Sequence, residues 1–111
     1  MTVTVTVLVP AQTINNTQTT MYTATGVTAI IDKFTATNYS AAAATISVNL
    51  VTAGGTAGNN DLIVKTKTLQ ASETYTFPEL VGHVLRPGGF ISTLAGTASA
   101  INIRVSGREV T

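Results

Sequence analysis

The stretch Thr45-Ile-Ser-Val-Asn-Leu-Val51 alternates apolar and polar side chains residue by residue, which puts Ile46, Val48 and Leu50 on one side of an extended chain. Successive side chains of a strand point to opposite faces, so a period of two marks a β-strand with one face buried. The same period recurs on both sides of this segment. Upstream, Val3, Val5, Val7 and Val9 alternate with Thr2, Thr4, Thr6 and Leu8, and Pro10 is the expected end of that strand. Downstream, a strand over 98–105 turns Ile101, Ile103 and Val105 inward and Asn102, Arg104 and Ser106 outward. Further short strands are expected over 20–25, 27–38, 62–68, 74–77 and 90–95.

What lies between these runs is turn chemistry. Segment 11–18 has the polar composition of a loop, and Gly26 turns one strand into the next. In 27–38, Ile30, Phe34 and Ala36 form one face and Ala29, Ile31 and Thr35 the other, interrupted at Asp32-Lys33 where a bulge is expected. Ala41–Ala44 favours a helical turn, but four residues do not nucleate a helix alone. Gly54, Gly55, Gly58, Asn59 and Asn60 make the longest glycine-rich loop, and 78–89 is a turn bracketed by Pro78 and Pro87. The expectation is one all-β domain over 1–111, a small jelly-roll-like antiparallel sandwich of seven or eight strands. Its expected core holds Ile46, Val48, Leu50, Tyr75, Phe77, Ile101, Ile103 and Val105.

Composition narrows the function. The 111 residues include 22 threonines and 14 alanines but only 10% charged residues, against about 25% in an ordinary soluble domain. Hydroxyls and amides therefore cover the surface, which suits contact with other protein. A net charge of +1 from scattered Lys and Arg argues against nucleic acid, whose phosphates need clustered cations. The absence of cysteine rules out a disulfide scaffold and thiolate metal sites. The N-terminus lacks the basic and continuous apolar regions of a secretory signal, and no polar-free run of membrane-spanning length occurs, so no membrane association is expected.

No catalytic pattern stands out. His83 is the only histidine, with Glu79 four positions before it. Both fall in the expected 78–89 turn, and the pair lacks the further ligands a metal site requires. The five acids are dispersed, and the glycine-rich loop lacks the Lys-Ser/Thr of a phosphate-binding loop. No cofactor is expected, and no enzyme activity. Asn15-Asn16-Thr17 and Asn38-Tyr39-Ser40 match the glycosylation pattern, which arises by chance in so Asn- and Thr-rich a chain. Lys65 and Lys67, two apart, are expected on one strand face; with Arg104 and Arg108 they either protect edges or pair with a partner subunit.

The feature that does point outward is the first 31 residues, which carry no charged side chain. A strand without Lys, Glu or Pro before Pro10 is either central in its sheet or an unprotected edge that another chain covers. Thr2, Val3, Thr4, Val5, Thr6 and Val7 are therefore the candidate interface residues.

Three segments also resemble a known family. The run Ala29-Ile-Ile-Asp-Lys-Phe-Thr-Ala-Thr-Asn38, the turn Pro78-Glu-Leu-Val-Gly-His-Val-Leu-Arg-Pro-Gly88 and the ending Ile103-Arg-Val-Ser-Gly-Arg-Glu109 resemble small structural proteins of tailed bacteriophages and prophages. The length and these segments are most similar to the capsid decoration proteins, called staple or cement proteins, of short-tailed phages of the epsilon-fifteen type. The resemblance implies a jelly-roll-like domain that binds as a homodimer to the exterior of the virion capsid, clamping neighbouring major capsid protein subunits. It implies synthesis in the cytoplasm of a bacterial host, and it supplies no catalytic residues. A phage tail or neck structural protein shares this composition. A carbohydrate-binding β sandwich is the other alternative, and it calls for exposed aromatics as a stacking platform.

Overall fold

The computed structural model describes residues 1–111. It contains the strands β1 (Val3–Thr13), β2 (Thr19–Thr23), β3 (Thr28–Asn38), β4 (Ala44–Val51), β5 (Leu62–Leu69), β6 (Thr74–Thr76), β7 (Val84–Leu85), β8 (Phe90–Ala95) and β9 (Ile101–Val110), with a single 3-10 turn at Asn59–Asp61. All pairings are antiparallel. One sheet runs β1-β9-β3-β6, with the two-residue β7 also on β3, and the other runs β2-β8-β4-β5. Apart from β7, the eight strands pair first with last, second with second-last, and so inward to β4 with β5. A long two-stranded ribbon rolled into two facing sheets has this order, which is that of a jelly roll.

The inner faces supply one core. Ile46, Val48, Phe77, Ile101, Ile103 and Val105 are buried as the alternation predicts. Phe34 and Phe77 meet edge to face with ring centres 5.1 Å apart, a favoured aromatic geometry. Leu50 and Tyr75 depart from the expectation and are only half-buried, packing against the core from its margin. Residues 40–42 form a bend rather than a helical turn. The buried Asn38 holds it: its Nδ2 donates to Ala42 O at 2.8 Å and to Leu69 O at 3.0 Å, and its Oδ1 accepts from the Ser40 N–H and hydroxyl.

Four strand pairings carry register shifts, and three of them decide which of the residues singled out above face the core. In β3 the shift falls between Ile31 and Lys33, so Asp32 is the extra residue and Ile31 joins Phe34 and Ala36 as buried, whereas Ile30 is half-exposed. The expected grouping of Ile30 with Phe34 is corrected by this bulge. In β5, Lys65 and Thr66 stand opposite the single residue Ser47, since Val64 pairs Val48 and Lys67 pairs Ile46. Lys65 and Lys67 consequently lie on opposite faces, not on one. Lys67 Nζ sits 4.5 Å from the Tyr75 ring centre, in cation-π range.

The third case is β1, which continues past Pro10 to Thr13 instead of ending there. Residues 10 and 11 face only Arg104, between the pairs Val9 with Val105 and Gln12 with Ile103. A bulge on an edge strand needs no ladder hydrogen bond from proline, which removes the reason to stop. A second shift, at Leu8, lies between the pairs Val7 with Ser106 and Val9 with Val105.

Candidate functional site

The Leu8 bulge reverses the face of the N-terminal half of β1. Val9 points into the core beside Val105, while Val3, Val5 and Val7 pair with Val110, Arg108 and Ser106 on the outer face. Val3, Val5 and Val7 are accordingly 51%, 81% and 40% exposed. The alternation of valine and threonine thus marks a strand whose valines are turned outward, which corrects the reading of residues 3–7 as one half-buried run with Val9. Thr4 and Thr6 occupy the inner positions opposite Glu109 and Gly107. Thr2 O accepts from the Thr111 N–H at 3.0 Å just beyond the strand.

β1 has β9 as its only sheet neighbour, so its other side is a free edge. Such edges are normally blunted by charge, proline or bulges. Here Pro10 and both bulges lie at or beyond Leu8, and residues 2–7 have none of these devices. The central-strand alternative is excluded by the topology.

The outer face next to this edge is also apolar. Val5, Arg108, Ile30 and Val84 follow one another in register across β1, β9, β3 and β7, and Val84 is 52% exposed. Arg108 is the one charge in the row, and it is neutralised within the chain. Its Nη2 and Nε bond Asp32 at 2.8 and 3.0 Å, a bidentate pair. That guanidinium holds the Asp32 carboxyl below the usual carboxylate range. Asp32 reaches Arg108 because the bulge in β3 displaces it.

The remaining residues singled out in the sequence are dispersed. His83 contributes its backbone carbonyl to the Ile31 N–H, and Glu79 accepts from the Tyr75 hydroxyl at 3.3 Å. No group of three or more His, Asp or Glu side chains is gathered in a metal-holding arrangement. No helix is long and apolar enough to cross a membrane. One link that sequence reading missed is Tyr22, whose hydroxyl crosses between the sheets to donate to Glu109 at 2.5 Å. No local signal announces it, because the two residues are 87 positions apart.

Protein-family models, curated proteins and solved structures were each compared with the chain, and none of the three comparisons gives a match.

Proposed function

We propose that this protein is a structural virion component that decorates the outer surface of a bacteriophage icosahedral capsid and staples neighbouring major capsid protein subunits together. The observation that carries the reading is the free, uncharged edge of residues 2–7 together with the outward Val3, Val5 and Val7. An edge of this kind adds a strand from a partner, and the adjoining valines give that contact an apolar floor. Interface centres are depleted of charge and enriched in apolar surface, and the row Val5-Arg108-Ile30-Val84 has that character once Asp32 neutralises Arg108. The jelly roll agrees with the fold that the resemblance to decoration proteins implies. The capsid as partner rests on that resemblance.

Stapling works by repetition. Two linked copies that bridge neighbouring subunits gain avidity from effective concentration, without any single strong contact. Low charge keeps such contacts effective across salt conditions that screen ion pairs. In this reading the protein acts as a homodimer and has no catalytic role.

The test is a Val5→Lys variant mixed with expanded capsids that lack the protein. The substitution restores a charge of the kind that protects edges, at a position that is already exposed. Its thermal midpoint should stay at the wild-type value, while co-sedimentation with capsids falls at least about tenfold, the equivalent of 1.4 kcal/mol. Capsids bearing wild type should retain DNA on heating better than bare ones. Undiminished binding of Val5→Lys would remove the proposed interface, and cryo-EM density only on the tail would transfer the assignment to a tail or neck protein.

A further inference from the structure

We infer a saccharide-binding groove on the outer face of the β2-β8-β4-β5 sheet, the opposite side of the sandwich from the valine face. Two hollows of about 180 and 340 Å³ meet there at Gln18. Together they fall in the range of small-ligand sites, on the order of 300–1,000 Å³.

The floor is polar and fixed. Ser47, Asn49 and Ser92 point away from the core, since their register partners Leu94 and Thr20 share the outer face and the neighbours Ile46, Val48 and Ile91 fill the inner one. They are nevertheless buried, covered by the chain around Gln18 and the loop through Gly58. Asn49 Nδ2 donates to Gly58 O at 2.9 Å and to Asp61 Oδ1 at 2.6 Å. Gln18 Nε2 donates to Asn49 Oδ1 at 3.2 Å and to Ser92 Oγ at 2.7 Å, so the exposed Gln18 is held by its amide nitrogen with its carbonyl oxygen left to the groove.

One wall is built at a conformational cost. Thr66, in the β5 bulge, has φ +45°, a region that β-branched residues avoid. Its N–H is held by Ser47 Oγ at 2.9 Å. Strain of this kind persists where the surroundings enforce it, and it concentrates at binding sites. Its effect here is to bring Lys65 to the groove instead of leaving it on the face of Lys67. The chain's one ion pair joins Arg108 to Asp32, so the Lys65 ammonium has no carboxylate partner.

The lining therefore alternates amide, hydroxyl and ammonium groups with the half-buried apolar Leu62, Leu94 and Phe90. A pyranose presents the same alternation, hydroxyls around its edge and C–H groups on its faces. One lysine is too little for a phosphate-rich ligand. Phe90 supplies one stacking surface at the end of the groove, while hydrogen bonds from preset amides supply the specificity. This site does not depend on the capsid reading, and the two outer faces are free to be engaged together.

The experiment is an NMR titration of the 15N-labelled full chain with soluble oligosaccharides of three kinds: neutral hexose, deoxyhexose and uronate-containing. Saturable shifts are expected at the Gln18 and Asn59 side-chain amides and at the backbone amides of Thr20, Gly58, Thr66 and Ser92. Gln18→Ala and Lys65→Ala should each weaken binding about tenfold, one or two hydrogen bonds' worth, and Lys65→Ala, which breaks no bond within the chain, should do so with the thermal midpoint unmoved. Val5→Lys should leave these shifts unchanged. The proposal is overturned if no member of the panel gives saturable shifts, if the shifts survive both groove substitutions, or if an extended Ser/Thr-rich peptide produces them and the sugars do not.

Discussion

Thr93 sits on the inner face of β8 opposite Val48, fully buried, and its Oγ1 has no hydrogen-bond partner. An unpaired buried hydroxyl costs about 1–3 kcal/mol relative to a satisfied one. Thr93→Val keeps the branched shape and removes the hydroxyl, so the protein should gain about 1 kcal/mol, seen as a higher urea midpoint at unchanged slope. Asn38 shows the contrary case: equally buried, it bonds two carbonyls and Ser40. Neither role is visible in the sequence. Threonine is so abundant in this chain that its identity does not say which copies face inward, and Asn38 reads only as the end of a strand.

At the scale of elements, the strands were legible because β-branched residues recur with period two; β8 falls where the alternation puts it, whereas β9 starts at Ile101 instead of 98 and runs past Val105 to Val110. The bulges were legible only where polarity broke the pattern. Asp32-Lys33 interrupts an apolar run and betrays the extra residue in β3, whereas Leu8 is as apolar as its neighbours and conceals the reversal in β1. The candidate interface residues 2–7 thus lie on an open edge of the sheet, one of the two placements the sequence allowed, but the outward turn of the valines was not readable. Gly107 is a further hidden constraint. A Cβ there would run into the Ile30 carbonyl oxygen and approach Leu8 Cδ1 to 2.9 Å, so no side chain fits between β9 and β3. Gly107→Ala should cost about 2–3 kcal/mol or more, measured as a lowered thermal midpoint. Gly26→Ala meets no atom but must adopt φ +69°, and its smaller loss would separate strain from collision.

The whole molecule is two sheets held face to face, and Tyr22 with Glu109 ties one to the other near the same end as the free edge. Burial, and then the bond to Glu109, push the Tyr22 hydroxyl well above its ordinary range. Its folded pKa therefore exceeds its unfolded one. The stability it contributes is complete below the unfolded value of about 10 and is lost as pH rises beyond that toward the folded value. Wild type should exceed Tyr22→Phe in stability at neutral pH, and the gap should narrow in urea unfolding repeated from pH 9 upward. Two sheets of short strands were predictable from turn spacing; their order was not, because nothing local says that the first strand pairs with the final one. That pairing governs the order of events in folding. β9 lies between β1 and β3, so their sheet stays open in the middle until the residues after 100 are available. Such distant pairing is slow to form. While the ribosome is still making the rest, residues 1–13 are an uncharged, valine-rich segment with no strand to pair with, the kind that associates with its own copies. The same edge that equips the finished protein for assembly is a hazard for the unfinished one.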